Sequence, residues 1–437
     1  MKISVESIGV IGLSHLGLVW SAVFASYGYK IIGYDVNKTN LSSLENGIVP
    51  INEPGLQDLF IKYSDHFAFS DDPDCLKNSS IIFFLHDVPY DNEGIIDLTI
   101  IDHLLNESIP HFSNCVEFVL MSQVPVGFTR NLKEQLKKYH PGNSLHLTYC
   151  LQTLTIGKSL EWFEDPDRIV LGLADSSKKI STILLSVFEH LNCMIEYVSY
   201  ESAELTKEAI QLKLAASVSF INTISDLCES LGADIREVTD VIKLDKRFSP
   251  YDYWRPGLGF AGGHIERGLA TLNKLSLEND ISPLFIDTIV ELSDKRYSWL
   301  KRIIDDHILS IKKMPKICLW GLSYKKGTES LHNAHCLKII RDYAHLSHIT
   351  VYDPLAILPG DLNIKQFSSK IDALDNSDCL IILTEWDECM IKDLSELKVM
   401  NNRVVIDCVD IVDSNVRQHE LITYFGMGLY RGGIKDA

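Results

Sequence analysis

The stretch SIGVIGLSHLG, residues 7–17, decides how the first part of the chain folds. Its apolar run predicts a strand, which Gly12 ends, and Gly17 lies five residues later in the expected start of a helix. This spacing is that of the G-x-G-x-x-G loop, with Ser14 at the middle glycine. Free amides at the start of such a helix attract phosphate. Gly12, Ser14, Leu16 and Gly17 are therefore predicted to hold a dinucleotide.

A carboxylate after the next apolar run makes this prediction more specific. By themselves, Gly12 and Gly17 fit an ordinary tight turn between a strand and a helix equally well. Asp35 lies in the stretch IIGYDVNK (31–38), directly after the apolar residues of the second strand and about 20 residues after the loop. An acid at this position hydrogen-bonds the ribose 2′-hydroxyl and favours NAD over NADP. We therefore expect NAD as the cofactor, with Lys38 as a further contact.

The order of apolar patterns predicts an α/β protein. Strand-like runs alternate with helical patterns up to residue 200, which indicates a parallel sheet covered on both faces. From Glu201 the spacing becomes helical, and we expect one long helix, a turn near Gly232 and a second helix. The alternation returns after Pro315. The predicted fold is two Rossmann-like doubly wound domains joined by a long central helix, with domains at 1–200, 201–312 and 313–437.

Composition limits the classes of function. Of the 437 residues 46% are apolar and 23% are charged, as in soluble globular proteins, and the net charge of −18 disfavours a nucleic-acid partner. The ten cysteines form no CxxC pair and no signal peptide is evident, so we expect a reducing, cytoplasmic location. No apolar run reaches the roughly 18 residues of a membrane span. His332 and His335 lack the further ligands of a metal site, so no metal is expected.

Several segments in order resemble the UDP-glucose/GDP-mannose dehydrogenase family, NAD-dependent enzymes that oxidise the C6 alcohol of a nucleotide sugar to a carboxylate. The similarity covers nearly the whole chain. The matching segments are NGIVPINEPGLQDLF (46–60), SQVPVGFT (122–129), DPDRIVLG (165–172), SAELTKEA (202–209), IKLDKRF (242–248), RPGLGFAGG (255–263), GLSYKKGTESLH (321–332), TEWDE (384–388) and GMGLY (426–430).

The resemblance implies a nucleotide sugar, most simply a UDP-sugar, bound with NAD by a homodimer built on the long helix. Arg247 would reach the neighbouring subunit's substrate. The implied substrate-binding residues are Leu154, Lys207, Gln211, Arg247, Tyr253, Gly257, Phe260 and Lys325. Beyond the loop residues, Asp35 and Lys38, the implied cofactor contacts are Val88, Pro89, Ser122, Gln123, Arg267 and His332.

The sequence departs from the family where the chemistry occurs. The family's loop carries a cysteine that forms a covalent thiohemiacetal, and an ungapped comparison places His264 there, with Arg267 at a lysine. Gln152 replaces a glutamate of the segment P-E-F-L-x-E-G, here LQTLTIG, and an amide does not titrate. Without a thiol the covalent route from aldehyde to acid is closed. The sequence therefore does not predict the family's usual four-electron oxidation.

Three hypotheses remain open for the positions His264, Lys207 and Gln152. In the first, the protein performs one hydride step or a redox-neutral epimerisation, with His264 or Lys207 as the base. In the second, catalysis is lost and the protein binds NAD or a nucleotide sugar as a regulatory or scaffolding subunit. In the third, which we rank lowest, an aldehyde hydrate is oxidised without a covalent intermediate. His264 also fits a structural histidine of a glycine-rich loop.

Overall fold

A computed structural model describes residues 5–91, 95–112, 117–141, 145–175, 180–249 and 252–429 of the chain. The chain divides into two compact units, Met1–Ile210 and Gln211–Ala437, and each is described by itself. The boundary falls inside the long helix that the sequence predicts. The division into three domains at residues 200 and 312 stays a prediction.

The first unit is built on a sheet that has eight strands within the described residues, in the order β3-β2-β1-β4-β5-β6-β7-β8. The pairs are parallel except β6 with β7, which run antiparallel. The strands are β1 Ser7–Ile11, β2 Lys30–Tyr34, β3 Phe67–Ser70, β4 Ile81–Phe84, β5 Glu117–Leu120, β6 His146–Cys150, β7 Arg168–Leu173 and β8 Met194–Ser199. The chain reverses its direction of winding between β1 and β4, and a crevice opens at the carboxyl ends of strands at such a switch point.

Helices cover both faces of this sheet, as its apolar strands require. All four residues of β4 are buried, because a central parallel strand has a helix layer on each side. The helices that begin in this unit are α1 His15–Ser26, α2 Lys38–Glu45, α3 Leu56–Lys62, α4 Thr99–Ser108, α5 Phe128–Tyr139, α6 Ser159–Trp162, α7 Thr182–Phe188 and α8 Tyr200–Leu231, of which the last continues into the second unit. Two apolar clusters result, one around Trp20 and Phe24 and one around Phe112 and Phe118.

Helix α8 confirms the long helix expected from the sequence. Its 32 residues contain neither proline nor glycine, so nothing in its interior breaks the hydrogen-bond ladder. It ends before Gly232, whose φ of +82° suits a residue without a side chain. The next helix then starts at Ile235, capped by the carboxylate of Asp234.

The second unit repeats the doubly wound pattern. Its six-stranded sheet, within the residues described, has the order β11-β10-β9-β12-β13-β14 and every pairing is parallel. The strands are β9 Lys316–Trp320, β10 His348–Tyr352, β11 Lys365–Gln366, β12 Cys379–Ile382, β13 Val404–Asp407 and β14 Thr423–Gly426, and the helices are α9 Ile235–Ile242, α10 His264–Glu278, α11 Leu284–Ile304, α12 His335–Tyr343, α13 Lys370–Leu374 and α14 Ser414–Arg417. The predicted fold class, with two Rossmann-like domains and a long helix, is confirmed.

Nine cysteines lie in the described part of the chain and none of them forms a disulfide, while Cys115 lies outside it. Within the same ranges there is no group of three or more metal-ligating side chains placed to hold an ion.

A buried carboxyl group in β5 makes the stability of the first unit depend on pH. Burial raises the pKa of Glu117 from an ordinary 4.5 to about 7, against the opposing hydrogen bonds from Ser181 and Thr148. The folded state therefore favours the protonated acid. The contribution of Glu117 to the free energy of unfolding is therefore greatest below pH 4.5. As the pH rises through 7, the free energy of unfolding falls by about 3 kcal/mol.

Substitution of Glu117 by Gln should therefore raise the free energy of unfolding at pH 8 by about 3 kcal/mol more than it does at pH 4.5, since the amide carries no charge to desolvate. Urea unfolding at the two pH values measures this difference. The exposed Glu45, substituted by Gln, is the matched control at the surface. Equal effects of Glu117→Gln at both pH values would contradict the prediction.

Candidate functional site

Two glycines bring β1 and α1 into direct backbone contact at the carboxyl edge of the first sheet. Gly12 has a φ of +91°, and a Cβ built on it would lie 2.5 Å from the Cβ of His86. A Cβ on Gly17 would lie 1.8 Å from the carbonyl oxygen of Gly12. Neither position accepts a side chain, so both glycines of the predicted loop are required by its geometry.

The carboxylate of Asp35 fixes this loop to the end of β2. Asp35 is 2% exposed, its Oδ2 accepts from the amide of Leu13 at 2.6 Å, and its Oδ1 accepts from the amide of Asn37 at 2.8 Å. Each carboxylate oxygen has two lone pairs, so both retain acceptor capacity for a ribose hydroxyl. The neighbouring Lys38 is exposed, with Nζ 3.6 Å from Oδ2 of Asp71.

Ser14, at the middle position of the motif, joins this loop to the segment after β4. Its Oγ accepts from the amide of Asp87 at 2.7 Å, and Oδ2 of Asp87 accepts from the amide of Leu16 at 3.2 Å. A protein carboxylate thus lies at the N-terminus of α1, where a dinucleotide's phosphates bind. No spacing in the sequence pairs Asp87 with this helix, because only the fold brings the two together.

The ends of β4 and β5 complete the edge of the crevice beside β1. Val88 is buried and Pro89 is exposed. Oγ of Ser122 donates to the carbonyl of His86 at 2.6 Å, and Nε2 of Gln123 donates to Oε1 of Glu208 at 2.8 Å. The four predicted contacts thus follow β4 and β5, the two strands that continue the sheet from β1.

Two of the three predicted catalytic positions are in contact. Nζ of Lys207, on α8, donates to the backbone carbonyl of Gln152 at 2.7 Å. The side chain of Gln152 is engaged elsewhere, since its Oε1 accepts from the indole of Trp20 at 2.9 Å. Leu154, predicted to contact substrate, packs against the apolar cluster of the first unit. Gln152 thus positions Lys207 through its backbone, while its amide is turned toward α1.

Glu53 holds the segment that carries Gln152. It is 5% exposed, and it accepts from Nε2 of His15 at 2.7 Å and from the amides of Gly157 and Ser159 at 2.8 Å. Burial alone raises the pKa of Glu53, but these hydrogen bonds outweigh it and hold the pKa below its ordinary value. The family resemblance includes Glu53 without giving it a function, because its partners lie 38, 104 and 106 residues away.

In the second unit, close backbone packing shapes the predicted substrate loop. A Cβ on Gly259 would lie 2.6 Å from the carbonyl oxygen of Ser293, and one on Gly262 would lie 2.4 Å from the ring of Tyr324. The amide of Phe260 donates to Oγ of Ser293 at 2.8 Å. The amide of Gly257 donates to Asn222 at 2.9 Å. The loop is therefore a fixed structure rather than a loose connection.

His264 is the first residue of α10, directly after this loop. Gly263 precedes it as N-cap, with a φ of +79°. Nη2 of Arg267, one helical turn on, lies 3.3 Å from Nδ1 of His264. Because arginine can only donate, Nδ1 is the acceptor in this contact. Arg267 is 6% exposed, and the carbonyl of His332 accepts from the amide of Gly262 at 3.1 Å, so three predicted residues surround one loop.

The remaining predicted substrate contacts lie in the second unit. Arg247 has an 82% exposed side chain and pairs with Asp245. Gln211 is 9% exposed on α8, and Tyr253 is 47% exposed. Nζ of Lys325 lies 5.6 Å from the ring centroid of Tyr324. Their functional roles stay predictions.

Comparison with known protein families shows which family shares this arrangement. The NAD binding domain of the UDP-glucose/GDP-mannose dehydrogenase family matches residues 6–192, its central domain matches residues 201–295, and its UDP binding domain matches residues 318–414. The chain belongs to the UDP-glucose/GDP-mannose dehydrogenase family. The cofactor predicted from Gly12, Gly17 and Asp35 is confirmed as NAD, and the UDP binding domain supports a nucleotide-sugar ligand.

Relatives within this family are similar over most of the chain. A putative UDP-glucose 6-dehydrogenase, YtcA of Bacillus subtilis, is 26% identical over 96% of this chain and 98% of its own length. The UDP-glucose 6-dehydrogenase TuaD of the same organism is 28% identical over 92% of this chain and 88% of its own. The structure of a UDP-glucose dehydrogenase from Pyrobaculum islandicum has the same fold, with a TM-score of 0.84, 23% identity and 98% of each chain covered.

The residues of the first unit fit NAD in shape, because two glycines clear the approach to α1 and Asp35 stands at the end of β2. The carboxylate of Asp87 lies against the amide of Leu16, where its charge opposes a diphosphate. No helix among the described residues is long and apolar enough to span a membrane.

The contact between Gly262 and Tyr324 predicts that Gly262→Ala will destabilise the second unit. A φ of +87° and a Cβ 2.4 Å from the Tyr324 ring should together lower the free energy of unfolding by about 2–4 kcal/mol. Thermal unfolding measures the loss. Gly257→Ala is the matched control, because it has no positive φ and its Cβ would meet nothing within 4 Å. Equal melting temperatures for the two variants would refute the packing argument.

Proposed function

We propose that the protein is an NAD-dependent oxidoreductase that acts on a UDP-sugar or a related nucleotide sugar, by a single hydride step or by redox-neutral chemistry. The observation that carries this proposal is the pair His264–Arg267 at the start of α10, directly after the glycine-rich loop. The family resemblance places a cysteine at this position. An imidazole there cannot form the thiohemiacetal from which a second hydride would leave.

The other cysteines of the second unit do not replace that nucleophile. Residues 211–437 contain Cys228, Cys318, Cys336, Cys379, Cys389 and Cys408, all described and all buried. Burial raises the pKa of each of these thiols, to about 12 for Cys336 and Cys389. A buried thiol that stays protonated is a poor nucleophile. This supports a reaction that ends at the aldehyde or ketone, or returns the hydride.

Oxidation of an alcohol requires a group that accepts the hydroxyl proton as the hydride leaves. Bound NAD accepts the hydride. We assign the proton acceptor to Lys207, whose Nζ donates to the carbonyl of Gln152 at 2.7 Å, because a neutral amine can take up the hydroxyl proton. We assign a different role to His264: its ring, whose Nδ1 lies 3.3 Å from Nη2 of Arg267, would contact an oxygen of the sugar or of a phosphate. Gln152 acts only as a positioning residue.

The cations Arg247 and Lys325 support recognition of a diphosphate, which needs positive charge but no titrating base. A homodimer in which Arg247 reaches the neighbouring substrate, and a cytoplasmic location, remain predictions. A protein that only binds the ligands would retain these cations as well, so turnover has to be measured directly.

The test begins with calorimetric binding of NAD and of a panel of UDP- and GDP-sugars. Each sugar nucleotide that binds is then incubated with the protein and NAD, and NADH and the product mass are measured. We expect a product lighter by two hydrogens with one NADH, or an epimer of unchanged mass visible by NMR. A carboxylate product would contradict the argument from His264. Binding with an unchanged substrate would favour the regulatory or scaffolding role.

Lys207→Ala should lower kcat by about 10²–10⁴, the range that a general base contributes, because the proton acceptor is lost. Lys213→Ala is the control from the same helix, with a 64% exposed side chain. His264→Gln should change the affinity for the sugar nucleotide more than kcat. If Lys207→Ala and Lys213→Ala turn over at the same rate, Lys207 is not the base.

A further inference from the structure

The N-terminus of α1 holds an anion supplied by the chain itself. The amide of Leu18 makes the helix's first internal bond, to the carbonyl of Ser14 at 2.9 Å. The amides before it point out of the helix end, as at every α-helix. That of Leu16 donates to Oδ2 of Asp87 at 3.2 Å. Asp87 therefore lies where the amides and the helix dipole favour negative charge.

Three backbone contacts fix the segment that presents this carboxylate. The amide of Asp87 donates to Oγ of Ser14 at 2.7 Å, and the carbonyl of His86 accepts from Oγ of Ser122 at 2.6 Å. Nδ1 of His86 lies 2.5 Å from the carbonyl oxygen of Asp87. The backbone is thus held on both sides, whereas the side chain of Asp87 is exposed and can rotate away from α1.

We propose that Asp87 competes with the cofactor's diphosphate for the N-terminus of α1 and so sets the affinity for NAD. This inference rests on the cofactor half of the proposed function. A diphosphate docked on the Gly12–Gly17 loop needs the amide that Asp87 occupies, and its negative charge is repelled by the carboxylate. Binding therefore requires Asp87 to swing into solvent, and the free energy of that displacement is subtracted from the affinity.

Ser14 contributes to the same competition between Asp87 and the diphosphate. Glycine at this position would allow the diphosphate a closer approach, whereas the Ser14 hydroxyl accepts the amide of Asp87 and holds the competing carboxylate at the helix. Ser14, at the middle glycine of the motif, and Asp87, after β4, therefore act together on the affinity for the diphosphate.

A purely structural role for Asp87, as a cap of α1, makes a different prediction. Removal of a cap lowers the melting temperature and leaves the affinity for phosphates unchanged or weaker. Removal of a competitor raises the affinity for ligands that carry a diphosphate and leaves the affinity for a nucleoside unchanged. The two roles are separated by comparison of NAD, ADP and adenosine.

The test uses calorimetric titration of the full chain with these three ligands, for the wild type, Asp87→Ala and Asp87→Asn. We expect Asp87→Ala to bind NAD and ADP about tenfold more tightly, and adenosine within about twofold of wild type. Asp87→Asn, which loses the charge but keeps an acceptor oxygen, should show a smaller gain. Asp102→Ala, at an exposed aspartate of α4, should match the wild type, and circular dichroism melting verifies that each variant is folded.

Unchanged or weaker ADP binding by Asp87→Ala overturns the proposal, and so does an equal gain for adenosine. The assay of NADH and product mass separates this result from the proposed reaction. A wild type that converts a sugar nucleotide, with no gain in Asp87→Ala, overturns only the role of Asp87. A gain for ADP with no conversion by any variant supports Asp87 and overturns the reaction. Absence of NAD and ADP binding in every variant overturns both.

Discussion

The fold of the first unit depends on the close approach of Gly17 to the carbonyl oxygen of Gly12. With a Cβ position only 1.8 Å from that oxygen, no other residue lets α1 start so close to the end of β1. This closeness directs the helix amides toward the crevice at the switch point of the sheet. Asp35 then fastens the turn through the amide of Leu13, so the geometry that suits a dinucleotide is held by the chain itself.

The second unit has the same turn, a glycine after its first strand and an aspartate after the next, but this aspartate makes more hydrogen bonds within the chain. Gly321 ends β9, and its amide donates to the carbonyl of Tyr352 at 2.9 Å, as Gly12 donates to Tyr34 at 2.9 Å. Asp353 accepts from the amide of Leu322 at 2.6 Å, as Asp35 accepts from Leu13. Asp353 is further bonded by three more amides and the indole of Trp386, so its carboxylate is committed to the fold. At the same place in the strand order, Asp35 thus keeps the capacity to accept a hydrogen bond from a ligand, whereas Asp353 does not.

The sequence predicted the fold class, the long helix and the glycine loop, because each depends on local spacing: apolar runs of strand length, a helix without proline, and glycines five residues apart. It also placed Lys207 and Gln152 at one site through the family resemblance. It did not predict the contact of Asp87 with Leu16 or the bonds of Glu53 to Gly157 and Ser159. These partners are 71 to 106 residues apart, and only strand order brings them together.

The departures from the family's active site have a common physical consequence. Gln152 bonds to Trp20 through its amide, a contact that needs no charge, and its carbonyl accepts from Lys207. A glutamate at that position would bring a negative charge beside Lys207 and favour the ammonium form. The amide of Gln152 brings no such charge. Without a thiol at position 264 the thiohemiacetal cannot form, and an amide at position 152 cannot act as a general base, so both replacements support the proposed single hydride step.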